Sequence, residues 1–60
     1  MIKPQQYDEA LRNTARINEE DIAWWNDRVA RGLNTPEQVR GYVEASERVV
    51  SNCRFILSFR

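Results

Sequence analysis

The second half of the chain has inward-facing positions that recur at alternating intervals of three and four, which is the spacing of one face of an α-helix. Just before this pattern, Thr35 and Gln38 flank Pro36 in the arrangement of an N-terminal capping box. We therefore predict a helix over residues 36–58. The positions on its face are Val39, Tyr42, Val43, Ser46, Val49, Val50, Cys53, Ile56 and Leu57.

The first half of the chain shows the same helical spacing. Pro4 suits the first position of a helix, Arg28 suits its last turn, and Gly32 is the residue type that ends a helix in the left-handed conformation. We predict a helix over residues 4–31 and a turn over residues 32–35. The apolar positions that share its narrow face are Tyr7, Leu11, Ile22, Trp25 and Val29.

A turn this short makes the two helices antiparallel neighbours, with the numbers of facing residues adding to about 68. Ala15 should then lie near Cys53, and Trp25 near Val43. The predicted fold class is all-α, an antiparallel helical hairpin that forms a single domain over residues 1–60.

Several large apolar side chains lie off the two inward faces. Ile17 and Trp24 flank the inward face of the first helix, and Phe55 and Phe59 lie one turn apart off the main face of the second. One partner helix covers an apolar arc of roughly 100°, so these four residues are candidates for a dimer or partner interface. Consecutive helical positions point about 100° apart, and we therefore expect Trp25 to lie in the core and Trp24 to face outwards.

The small size of the chain also favours association. A domain of 60 residues is near the lower limit of independent stability. A single cysteine, Cys53, excludes an internal disulfide. We expect a homodimer in which two hairpins form a four-helix bundle.

Asn18 interrupts the inward face of the first helix. It is a candidate for a register-setting polar contact, as polar residues are at coiled-coil core positions. The alternative is an amide whose hydrogen bonds are satisfied locally.

Three arginines near the turn, Arg28, Arg31 and Arg40, are candidate contacts for nucleic acid. Asp27 and Glu37 lie among them and dilute the positive charge. A solvated hairpin end is therefore the favoured interpretation, and nucleic-acid binding is the weaker one.

The composition offers little for catalysis. There is no histidine, and nine Lys and Arg residues balance nine Asp and Glu residues, so the net charge is zero. The acidic run Glu19–Asp21 points in three directions on a helix and is expected to be a solvated surface, and Cys53 lacks a nearby base and is expected to be a buried thiol. We predict no enzyme activity, no cofactor, no metal and no membrane span, and a cytoplasmic location.

Three segments of the sequence resemble a known group of proteins. They are Trp24-Trp25-Asn26-Asp27-Arg28-Val29, Asn34-Thr35-Pro36-Glu37-Gln38-Val39-Arg40 and Ala45-Ser46-Glu47-Arg48. The pattern is similar to the small early-region proteins of lambdoid phages, encoded between the exonuclease and excisionase genes. The resemblance implies a helical-hairpin homodimer in the host cytoplasm that modulates host physiology or the lytic programme, and it supplies no catalytic residues.

The sequence thus favours a non-enzymatic module that binds a host or phage protein through exposed aromatic and apolar side chains. The alternative is a small regulator of nucleic-acid transactions, acting on DNA or RNA or through a DNA-binding partner. A purely structural oligomer is a third possibility.

Overall fold

The computed structural model describes residues 3–59 and contains two helices in this range, α1 (Pro4–Ala30) and α2 (Pro36–Leu57). They pack against each other as a hairpin, which confirms the predicted fold class. Each helix ends one residue earlier than predicted. The ends of the predicted domain, residues 1, 2 and 60, lie outside the described residues.

Both helices have a proline in the first turn, and both have a glutamine whose side chain reaches back to the residue that precedes the helix. In α1 the Lys3 backbone N–H donates to Gln6 Oε1 at 3.1 Å. In α2 the Thr35 N–H donates to Gln38 Oε1 at 3.1 Å, while the Gln38 N–H donates to Thr35 Oγ1 at 3.3 Å. The predicted capping box at Thr35 is therefore confirmed, and it satisfies backbone donors that the helix itself leaves without partners.

The turn ends α1 in a Schellman motif. Gly32 has φ 76°, the left-handed conformation that glycine adopts without a steric penalty. Its N–H donates to the Val29 carbonyl at 3.0 Å, and the Leu33 N–H donates to the Arg28 carbonyl at 2.9 Å. The Arg28 side chain also donates from Nε to Asn34 Oδ1 at 2.6 Å, which joins the end of α1 to the residue that precedes the Thr35 cap.

The core between the helices is thin. Ala15, Val39 and Cys53 are its buried apolar residues within the described range. Ala15 and Cys53 lie opposite each other in the predicted register, and the expectation of a buried thiol is confirmed. Two positions that were predicted to face inwards are exposed instead, Tyr7 at 42% and Tyr42 at 59%, because the thin core does not cover side chains of this size. The remaining predicted inward positions are half-buried, and they are Leu11, Asn18, Ile22, Trp25, Val29, Val43, Ser46, Val49, Val50, Ile56 and Leu57.

Trp25 corrects one prediction. We expected it in the core, but it is half-buried, because a single facing helix covers only part of a side chain of this size.

The hairpin is elongated and exposes much surface. Its principal extents are 45 × 17 × 14 Å, and its radius of gyration is 14.0 Å, against about 10 Å for a compact domain of this length. Its accessible surface is 4882 Å². A compact monomer of the same mass would expose about 4,100 Å².

Candidate protein-interaction surfaces

The two sides of the hairpin have different compositions. Because the helices are antiparallel, positions one residue before an inward position point to the same side of the hairpin on both α1 and α2. On this side one position in every seven of each helix carries an apolar residue, and Thr14, Asp21 and Asn52 are among the polar residues that lie between them. We call the apolar positions the apolar face, and they are Ala10, Ile17 and Trp24 of α1 with Tyr42, Val49 and Ile56 of α2.

The apolar face is largely open to solvent. Ile17 is 50% exposed, Trp24 is 53% exposed and Tyr42 is 59% exposed, while Val49 and Ile56 are half-buried. The exposure of Ile17 and Trp24 agrees with the expectation that they lack an intramolecular partner helix. Whether they form an interface is a prediction that the single chain does not test.

Three aromatic rings meet on the apolar face near the turn. Trp25 stacks on Tyr42 with ring centroids 4.8 Å apart and an interplanar angle of 7°, so the helices are joined here by a ring contact. Trp24 meets Trp25 edge to face, also at 4.8 Å. The Arg28 guanidinium lies 4.9 Å from the centroid of the Trp24 ring, within the range of a cation–π contact.

This cluster corrects two expectations. Tyr42 was assigned to the inward face of α2, but it lies at the edge and covers Trp25. Adjacent tryptophans were expected to serve separate surfaces, but their rings touch. Their backbone directions do differ by about 100°, and the side chains are long enough to bend back towards each other.

Polar groups beside the apolar face are bonded to their own helix. Thr14 Oγ1 donates to the Ala10 carbonyl at 2.8 Å, and Asn18 Nδ2 donates to the Thr14 carbonyl at 2.8 Å. The amide of Asn18 is thus satisfied within its own helix, which is the alternative given for this residue. The role of Asn18 in setting the register stays a prediction. Asp21 is exposed and brings a carboxylate to the middle of this side.

The opposite side of the hairpin is charged. We call it the charged face, and its central contact is an ion pair between Arg54 of α2 and Glu19 of α1. On the neighbouring surface of α1, Arg16 pairs with Glu20 at 3.1 Å. The acidic run is therefore exposed and divided between an interhelical pair, an intrahelical pair and the apolar side, as expected of a solvated run.

The Phe55–Phe59 pair forms a second apolar surface. The two rings meet edge to face with centroids 5.0 Å apart. Phe55 is 65% exposed and Phe59 is 73% exposed, and helical spacing places Phe55 on the side of α2 turned away from α1. The pair lies off the inward face, as predicted, and makes no contribution to the core.

The three candidate arginines do not form a free cationic patch. Arg28 is held by Asn34 and the Trp24 ring, and Arg31 pairs with Asp27 at 2.9 Å. Arg40 is exposed at the rim of a groove, together with Glu44.

That groove was not predicted from the sequence. It is a shallow depression of about 250 Å³ at the turn end of the hairpin. Three of its seven lining residues are valines. Its lining residues are Asn26, Val29, Pro36, Val39, Arg40, Val43 and Glu44.

No cluster of three metal-ligating side chains occurs among residues 3–59. Within the same range, neither helix is apolar enough over a sufficient length to cross a bilayer. The chain matches no protein-family model, no curated protein and no solved structure. The resemblance to early phage proteins therefore stays a prediction from the sequence.

Proposed function

We propose that this protein is a non-enzymatic protein-binding module that contacts its partner through the Phe55–Phe59 pair. The observation that carries the proposal is the exposure of both rings, 65% for Phe55 and 73% for Phe59, at positions off the inward face. Exposed aromatic side chains are typical of binding hot spots, because they offer a large contact area with little rotational freedom to lose.

The arrangement of the pair supports this role. Its edge-to-face contact, with ring centroids 5.0 Å apart, joins the two rings into one apolar surface. A partner that covers both rings would gain the contact area of two aromatic side chains at one place. The pair is also remote from the turn, so a partner bound there would leave the Thr35 cap and the Schellman motif intact.

The biological setting that we propose is that of a phage accessory protein in the host cytoplasm, acting on a host process or on the lytic programme. Its support is the sequence resemblance alone. The nucleic-acid alternative is not favoured by a specific observation, since Arg28 and Arg31 already have partners and the net charge is zero.

The test is affinity capture from bacterial lysate with three immobilised forms of the full chain. The double variant Phe55→Ser/Phe59→Ser should lose proteins that the parent chain retains. Leu33→Ser is the matched control, because Leu33 is 59% exposed but lies at the turn, and it should retain them.

Capture that is equal for all three forms would contradict the proposal. Electrophoretic mobility shifts with duplex DNA at low and high salt test the alternative. A shift that weakens steeply with salt would indicate direct phosphate binding and favour the nucleic-acid function instead.

A further inference from the structure

We infer that the partner segment that covers the Phe55–Phe59 pair is an acidic amphipathic helix, which packs apolar side chains on the two rings and brings a carboxylate to Arg48. The inference rests on the proposed function and extends it, because it states the charge and the shape of the partner. The site is a stripe along the side of α2 that points away from α1. We call it the outer stripe, and its residues are Arg48, Ser51, Phe55 and Phe59.

The first argument is the form of the outer stripe. Arg48, Ser51 and Phe55 are exposed and are spaced three and four residues apart, so that Arg48 points within about 20° of the direction of Phe55. The edge-to-face contact of the rings extends the stripe to Phe59. Its length from residue 48 to residue 59 is about 16 Å, or about three turns of a facing helix. Ser51 is small, so a facing backbone can approach closely between the arginine and the rings.

The second argument is the charge beside the rings. Residues 48–59 contain two arginines and no acidic residue, whereas residues 36–47 contain three glutamates and one arginine. The charge of α2 therefore changes sign along the helix, although the net charge of the chain is zero. Charges are screened within about 8 Å at physiological ionic strength, which is a small part of a hairpin 45 Å long. A partner on the rings therefore meets local positive charge.

Arg48 is the cation that is available to this partner. It is exposed, and within residues 3–59 it forms no ion pair and no hydrogen bond, whereas Arg54 pairs with Glu19. An exposed guanidinium beside an apolar contact attracts a carboxylate and fixes the orientation of the partner. Glu44 lies one turn before Arg48 and repels a second carboxylate there, so the acidic group of the partner is confined to the position of Arg48.

The same observations favour a protein helix over a nucleic-acid strand. Strand binding combines a row of cations with aromatic faces on which bases stack. Arg48 is the single cation of the outer stripe, and the two rings are at 90° to each other, so they do not present parallel stacking faces. An amphipathic helix requires apolar contact area and a charge at helical spacing, and the outer stripe offers both.

The experiment is a selection from a displayed library of random peptides of about 16 residues, long enough for about four turns of helix. The library is depleted on immobilised Phe55→Ser/Phe59→Ser and then panned on the immobilised full chain. The retained peptides should be enriched in Asp and Glu over Lys and Arg, with apolar residues three or four positions apart. Retention of basic or neutral peptides would overturn the inference and leave the proposed function intact, whereas retention of no peptide would contradict both.

Charge reversal then tests Arg48 directly, with fluorescence anisotropy of the tightest retained peptide. Arg48→Glu should weaken binding about tenfold at low salt, and the difference should shrink as salt is added. Arg40→Glu is the matched control, because it makes the same change at an exposed position of α2 outside the outer stripe. It should leave binding unchanged, and equal weakening by the two variants would overturn the inference.

A second variant decides the question if Arg48→Glu loses helicity in circular dichroism. Arg48→Gln removes the charge without adding a like charge one turn from Glu44, and it should weaken binding about threefold. Unchanged binding by a helical Arg48→Gln would overturn the inference.

A labelled single-stranded DNA oligonucleotide tests the other class of partner in the same anisotropy measurement. We expect the parent chain not to bind it. Binding that is lost in Phe55→Ser/Phe59→Ser and weakens steeply with salt would overturn the inference in favour of nucleic acid.

Discussion

The two faces of the hairpin differ in how far the chain satisfies them by itself. On the charged face Glu19 pairs with Arg54 across the helix interface, and on the neighbouring surface of α1 Arg16 pairs with Glu20 one turn away. On the apolar face, the contacts of Trp24 and Tyr42 leave more than half of each side chain in water.

The reason is that charged and apolar side chains need different surroundings. A charged side chain is satisfied by one partner and by water, which two helices readily provide. A large apolar side chain needs to be surrounded, and a second helix reaches only one side of it. Two helices can therefore satisfy a charged face, while they leave part of a broad apolar face in water.

The largest expected effect tests whether the two tryptophans belong to different surfaces. Trp25→Ala should lower the free energy of unfolding by about 2 to 3 kcal/mol, below the usual range of about 3 to 5 for a buried tryptophan, because Trp25 is half-buried. Trp24→Ala should cost clearly less in the monomer, since the ring faces outwards. Urea unfolding at low protein concentration, followed by circular dichroism, measures both, and equal losses would mean that the two rings serve one surface.

The next effect concerns the Thr35 cap at the start of α2, the helix that contributes residues to both faces. Thr35→Ala removes the hydroxyl that accepts from the Gln38 N–H and should lower the free energy of unfolding by about 1 kcal/mol. Thr35→Ser keeps the hydroxyl and should behave nearly as the parent chain does in thermal unfolding. A loss in Thr35→Ala of less than a few tenths of a kcal/mol would show that the backbone contact of Gln38 N–H with the Thr35 carbonyl suffices.

One substitution should raise the free energy of unfolding, and it would give a more stable parent protein in which variants of both faces can be compared. Gly41→Ala should raise the free energy of unfolding by about 0.8 kcal/mol, because alanine favours the helix and no atom lies within 4 Å of the added Cβ. Gly32→Ala is the contrasting control and should lower it by about 1 kcal/mol, since its φ of 76° is left-handed. Melting curves check both, and stabilisation by Gly32→Ala would show that the turn relaxes when it is substituted.

The smallest effect concerns the charged face itself. A double-mutant cycle with Glu19→Gln and Arg54→Gln should give a coupling free energy of about 0.2 to 1 kcal/mol that falls as salt is added, because both side chains are exposed. Glu20→Gln is the control, because it removes a carboxylate that pairs within α1 with Arg16 and not across the helix interface. Coupling well above this range would mean that the ion pair orders the helix interface more than surface exposure implies.

The helices and their turn were predictable because their signals are local. Thr35, Pro36 and Gln38 lie within four residues, and Gly32 ends α1 through the conformation of its own backbone. The excess of apolar positions over what one partner helix can cover also followed from spacing alone. It correctly predicted that Ile17 and Trp24 are exposed.

What the sequence left undetermined depends on the shape of side chains. Tyr42 and Val43 both fit the inward spacing, and only the packing of the Tyr42 ring on Trp25 decides that the tyrosine takes the edge. The contact between Trp24 and Trp25 and the groove at the turn end likewise depend on the shapes of individual side chains. Helical periodicity gives the direction of a position and does not describe where a long side chain ends.

The turn has a consequence for the order in which the molecule folds. The hydrogen bond from Arg28 to Asn34 spans six residues, whereas the Arg54–Glu19 pair spans 35. Loop-closure entropy makes the longer connection about 1.6 kcal/mol more costly to form from the open chain. The hairpin should therefore close from the turn towards its free ends, and the end of α2 that carries the Phe55–Phe59 pair, among the last parts to be ordered, would be the first part of α2 to separate from α1 when the helices open.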